Sequence, residues 1–184
     1  MKRGLIVFAF GAPGNLESNR ILKSIALTFV EQYASITQIY TQEASGIVTK
    51  DFESINYAKR HTNGQNKELI LSIIAQSNAN NHPPTLRIAR WAVEKAVQAG
   101  VEHLIVIAAA PHLSRCLRDV RYALKEHKLD VAAATEAQPI LDIPNDMWYS
   151  VISDQPRTRS PFQWWSREWM LLAMPMWLYA KVAG

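Results

Sequence analysis

Apolar residues fall along the first 135 positions in short blocks separated by longer amphipathic stretches. Gly4 to Phe10 is an unbroken apolar run closed by Gly11-Ala12-Pro13-Gly14-Asn15, which predicts a strand buried on both faces that feeds a turn. Leu22, Ile25, Ala26, Phe29, Val30 and Tyr33 then recur at three- and four-residue spacing, with Lys23, Glu31 and Gln32 opposite them. That is a helix, and Asn15 is its candidate N-cap. Ile36 to Gln42, rich in β-branched and aromatic residues, reads as a second strand. Residues 43–66 are polar and mixed, with room for a helical turn or two around Phe52 to Lys59, and Leu69 to Ala75 predicts a third strand. Ser77 to Pro84 carries two consecutive prolines and reads as a loop. The helical period returns over Thr85 to Ala99, with Gly100 where a left-handed C-terminal residue is expected. Val101 to Ala109 predicts a fourth strand, Leu113 to His127 a helix with Cys116, Leu117, Val120 and Leu124 inward, and Leu129 to Ala134 a fifth strand.

Strands that alternate with helices of this length require crossover connections, and so a parallel sheet covered on both faces. The expected fold is an α/β, Rossmann-like three-layer sandwich with a mainly parallel sheet of about five strands. One domain spans 1–184, with a core over 4–135 and an extension over 136–184 packed on it. Ligands in such sheets sit outside the carboxyl ends of the strands, which directs attention to the loops after Phe10, Gln42, Ala75 and Ala110. In the extension, Trp165, Trp169, Leu172, Met176 and Tyr179 share one helical face that Pro175 interrupts. A helical segment docked on the sheet is the first reading; an oligomer interface and a membrane-surface element compete with it.

Composition narrows this picture in three ways. A single cysteine among 184 residues forms no internal disulfide, which fits a reducing, cytoplasmic setting. The apolar run behind Met1-Lys2-Arg3 is shorter than a secretory segment, and no window reaches the length of a membrane span. The net charge of +4 is too mild to imply a nucleic-acid partner. From Arg157 onward, however, four basic residues meet one acidic residue and the segment holds four of the six tryptophans.

The candidate chemistry lies in the predicted loops. Gly11 to Asn15 sits between strand and helix, where backbone N-H groups favour an anion, although neither a dinucleotide fingerprint nor a phosphate loop is present. It is either a tight turn or a ligand-approach loop with Gly11 and Asn15 in contact; Arg20 either pairs with Glu17 or reaches the crevice. Asn80, Asn81, His82 and Thr85 place donors and acceptors before the next helix. Ala108 to Arg115 is the most informative segment. His112 there is a candidate general base or donor, or else a satisfied structural histidine, and Arg115 a candidate clamp for a carboxylate or phosphate, or else a structural tie to Glu136 or Asp142. No spacing of His, Cys or carboxylates argues for a metal.

Three of these features in order, the apolar first strand ending in Gly11, the Ser77 to Thr85 loop before a helix, and Pro111-His112-Leu113-Ser114-Arg115 after a strand, resemble the YdcF, SanA and ElyC family of bacterial Rossmann-like domains. Arg167-Glu168-Trp169 to Gly184 is similar to the end of those domains, while Arg87, Ala89 and Cys116 depart from their usual pattern. The resemblance implies a small-molecule site at the strand carboxyl ends, with S-adenosylmethionine bound in one branch and cell-envelope roles in others. The expected function is accordingly the binding of an anionic or nucleotide-like compound by Gly11, Asn15, Arg20, Asn81, Thr85, His112 and Arg115. Alternatives are a non-enzymatic interaction protein that uses its Trp-rich tail, and a tetrapyrrole chelatase, for which the first strand reads Phe10-Gly11-Ala12 in place of His-Gly-Ser.

Overall fold

The structure is a computed structural model that describes residues 1–53, 69–74, 83–130 and 134–183. Five strands, β1 (Arg3–Val7), β2 (Ile36–Gln42), β3 (Ile70–Ile74), β4 (His103–Ile107) and β5 (Ala134–Glu136), form one sheet in the order β3-β2-β1-β4-β5. Every pairing is parallel. Helix α1 (Glu17–Gln32) connects β1 to β2, α2 (Thr85–Gln98) precedes β4, and α3 (Ala110–Glu126) connects β4 to β5. The right-handed crossover rule puts α1 on one face of the sheet and α2 and α3 side by side on the other, where those two pack together. This is the expected α/β sandwich. Successive strands are laid down outward in one direction from β1 to β3 and in the other from β4 to β5, which makes the carboxyl ends of β1 and β4 the topological switch point.

Leu5, Ile6 and Val7 of β1 and Val106 and Ile107 of β4 are fully buried, as central strands covered on both sides must be. Gly100 takes the left-handed conformation after α2, at φ 66°. Several boundaries differ from expectation, among them the fifth strand, expected over Leu129 to Ala134 and found at Ala134–Glu136. Strand β1 ends at Val7, and Phe8 to Phe10 continue as buried irregular chain. Helix α3 starts at Ala110 rather than Leu113, because Pro111 lacks only an N-H that the first helical turn leaves unpaired anyway. The expected helical turns around Phe52 to Lys59 fall largely outside the described residues; short 3-10 turns cover Glu43–Ser45 and Thr49–Phe52.

The extension is woven into the core rather than laid upon it. Ala137, Ile140, Trp148 and Trp164 belong to the same apolar cluster as the sheet. Helix α4 (Pro161–Ala173) is capped by the Ser160 side chain, which accepts from the Gln163 N-H, and it stops before Pro175, after which α5 (Met176–Ala183) begins. The inward residues are Trp164, Glu168, Leu171 and Tyr179. Tyr179 is inward as expected, whereas within α4 the expected face was one position out of register: Trp169 is 67% exposed.

Candidate functional site

Two side chains shape the loop after β1. Asn15 is exposed and caps nothing; α1 has Leu16 at its N-cap position, with no side-chain cap. The organising residue is Asn19, one turn into the helix and fully buried. Its Oδ1 accepts from the Phe10 N-H at 2.9 Å, and its Nδ2 donates to the carbonyls of Gly11, Pro13 and Ala44 at 3.1–3.3 Å. The loops after β1 and β2 are therefore fastened to each other and to α1. Gly11 sits at φ 84° with the tail pressed against it; a Cβ there would lie 2.8 Å from Ser153 Oγ and 2.9 Å from Thr158 Oγ1. The Ser153 hydroxyl donates to the Ala12 carbonyl at 3.3 Å, and the Asp154 N-H donates to the same oxygen at 2.7 Å. These bonds draw the turn that carries Arg157 over the carboxyl edge of the sheet.

A cavity of about 20 Å³, the room one water needs, lies there at the switch point. Its polar walls are Gln42, Thr85, His112, Gln155, Arg157 and Thr158; Phe8, Phe10 and Trp164 supply apolar walls. His112 is buried, edge-on to Trp164 at 5.1 Å between ring centroids and near Phe8 and Phe10. Thr85 Oγ1 lies 3.2 Å from its Nε2, and its Nδ1 has no hydrogen-bond partner. With the Thr85 hydroxyl as donor, the ring proton sits on Nδ1 and is available to an acceptor. Burial, reinforced by Arg115 and Arg157, holds the His112 pKa well below the ordinary histidine value. The ring is neutral.

Arg157 is partly buried and forms no hydrogen bond or ion pair among the described residues. Its pKa is pushed down to about 10, first by burial and then by the positive charges of Arg115 and Arg167. The N-termini of α2 and α3 meet at the same edge and add positive potential. The cavity is thus a small, electropositive recess walled by a guanidinium without an ion-pair partner among the described residues and by an imidazole whose Nδ1 has no hydrogen-bond partner there.

The expected residues divide sharply. Gly11, Thr85 and His112 line the cavity. Arg20 is exposed and pairs with Glu17 at 3.7 Å, one of its two expected placements. Arg115 is buried behind the cavity wall, beside the Trp164 ring, with its Nε 3.1 Å from Glu168 Oε1. The two atoms are close but misaligned, so the contact is an ion pair rather than a hydrogen bond. Its carboxylate partner is neither Glu136 nor Asp142. Asn80, Asn81 and His82 lie outside the described residues, and Ser114 is exposed on α3, so the hydroxyl beside His112 is that of Thr85. Arg157, Gln42, Gln155 and Thr158 were not expected; the one signal for Arg157 was the basic excess after it. Neither a known family model, nor a curated protein, nor a solved structure matches the chain.

A neutral, buried His112 also sets a pH dependence. The unfolded chain takes up a proton near pH 6.5 that the folded chain refuses, so this contribution is full above about pH 6.5 and is lost as pH falls below it, by up to about 1.4 kcal/mol per pH unit. The buried carboxyls of Glu168 and Asp119, both raised by burial, act in the opposite sense, in the window that opens above the ordinary carboxyl value. Urea unfolding between about pH 5 and 7 should therefore show a slope that His112→Gln flattens; equal slopes in the two proteins would place the proton uptake elsewhere.

Proposed function

We propose that the chain binds a small molecule through its terminal carboxylate or phosphate, received in the recess between the carboxyl ends of β1 and β4. One observation carries this reading: His112, with an unpartnered Nδ1, and Arg157, with no ion-pair partner among the described residues, wall the same cavity at the switch point. An unpaired, partly buried guanidinium costs stability, and an anion that accepts from both groups recovers that cost as binding energy. The recess has room for one water-sized group, so a single oxygen of that anion enters and the rest of the ligand stands at the mouth. The remainder of a nucleotide-like compound such as S-adenosylmethionine would rest outside it, by Pro83 and Gln155, unless the crevice opens. The similarity of His112-Leu113-Ser114-Arg115 to the YdcF-like motif fits a ligand site at this edge, with His112 on the ligand and Arg115 supporting the wall. No reaction is assigned: the Thr85 hydroxyl beside His112 Nε2 is held at the start of α2, and no carboxylate orients the imidazole among the described lining residues.

Arg157→Met tests the reading in two directions at once. It should abolish the rise in melting temperature produced by whichever of inorganic phosphate, nucleotides, sugar nucleotides or S-adenosylmethionine stabilises the native chain. The same substitution should raise the stability of the free protein by about 1 kcal/mol, since it removes a partly buried cation that has no ion-pair partner among the described residues and lies among other arginines. If none of these compounds shifts the melting midpoint, or if a shift survives in Arg157→Met, the recess is not an anion site.

A further inference from the structure

Helix α4 faces the wrong way for an ordinary surface helix. Its inner side carries its only carboxylate, Glu168, between Trp164 and Leu171, all buried. Its outer side carries Phe162, Trp169 and Ala173 at helical spacing, with Ser166 among them and Trp165, half-buried against the core, at the edge. Phe162 is 82% exposed and Trp169 67%; beyond the Pro175 break, α5 adds Trp177 at 64%. Trp165 and Trp169 lean on each other at 5.5 Å between ring centroids. This much aromatic surface left in water on one helix face marks a contact that the isolated chain does not make.

We propose that this face docks on an anionic lipid surface. The charge of the segment selects the occupant: Arg159, Arg167 and Lys181 are exposed, and Glu168, its only acidic residue after Asp154, is turned inward against Arg115. A second copy of the chain carries the same basic segment and, with Glu168 turned inward, offers it no carboxylate in return. A bilayer rich in anionic headgroups complements them, and Trp, with its apolar ring and polar N-H, settles at the boundary between headgroups and acyl chains. No helix among the described residues is long and apolar enough to cross a membrane, so the contact is interfacial, with α4 lying along the surface.

The test uses the full chain and vesicles of phosphatidylcholine with and without phosphatidylglycerol, read by co-sedimentation. Binding is expected only with phosphatidylglycerol. Arg167→Gln with Lys181→Gln should weaken it about twentyfold, from the loss of two surface charges near the bilayer. Trp169→Ser with Trp177→Ser should weaken it at least as much, and both double variants should keep the parental melting midpoint because all four side chains are exposed. Failure to sediment with anionic vesicles, or double variants that bind like the parent, would overturn the proposal. So would self-association abolished by the tryptophan substitutions in a chain that ignores vesicles, which would assign the face to a second copy.

Discussion

A chain truncated before Arg159 is expected to lose its cooperative fold. The missing segment includes Trp164, Leu171 and Tyr179, buried to 3%, 7% and 1% residual exposure. At about 2 kcal/mol for each large apolar side chain withdrawn from water, these three alone contribute on the order of 6 kcal/mol, comparable with the whole stability of an average domain. Trp164 also closes the core over Phe10, 4.7 Å between ring centroids, and its indole N-H donates to the Pro111 carbonyl at 3.1 Å. Arg118 donates to the Leu171 carbonyl at 2.9 Å from the opposite side. Truncation strips the cavity of one wall and leaves Phe10 and His112 open to water. The shortened chain should be found in the insoluble fraction, or should keep far-ultraviolet dichroism while losing the near-ultraviolet signal of packed aromatics. A soluble product with a sharp melting transition would mean that the tail is an appendage. Point substitutions on the outer face of α4 are the appropriate probe of its surface chemistry for the same reason.

The layered architecture was legible in the sequence because it rests on local patterns. The strand from Ile36 to Gln42 and the left-handed Gly100 appear where β-branched and aromatic content and helix-stop chemistry put them. The parallel sheet follows from the order of elements alone. The site was legible only where one segment carries it, as at Thr85 and His112. Asn15 and Asn19 are both asparagines near a helix start, and the capping rule selects the first; the second does the work because its amide reaches three carbonyls of two loops, which no local rule detects. Arg157 comes to the recess through a turn held by Ser153 and Asp154 to Ala12, a contact between distant parts of the chain. The register of α4 was misread for a related reason. Apolar periodicity assumes that carboxylates face water, whereas Glu168 faces inward because its partner Arg115 arrives from another helix.

That pair supplies the second large effect, and the two ways of breaking it should differ. Arg115 and Glu168 are buried to 4% and 2% residual exposure, with Arg118, Asp119 and Arg157 around them. Burial raises the Glu168 pKa, against the pull of Arg115, Arg118 and Arg157. In Glu168→Ala the Arg115 guanidinium stays buried among like charges and cannot shed its proton, so a loss of about 3 to 5 kcal/mol is expected. In Arg115→Ala the stranded carboxyl, whose pKa is already raised, takes up a proton and becomes neutral, and repulsion with Arg157 is relieved, so a loss of about 2 kcal/mol is expected. The pH dependence follows the same logic. A carboxyl with a raised folded-state pKa contributes stability below its unfolded value, lost as pH rises through the folded one, so Arg115→Ala should be closest to the parent in acid and fall away toward neutral pH. Replacing both partners by apolar residues, Arg115→Met with Glu168→Leu, should recover most of either loss, since neither charge then remains to be compensated. Urea midpoints for the four proteins at neutral pH complete the cycle. A Glu168→Ala variant that loses less than Arg115→Ala would refute this account and make the stacking of Arg115 on Trp164, rather than charge compensation, the chief role of the arginine.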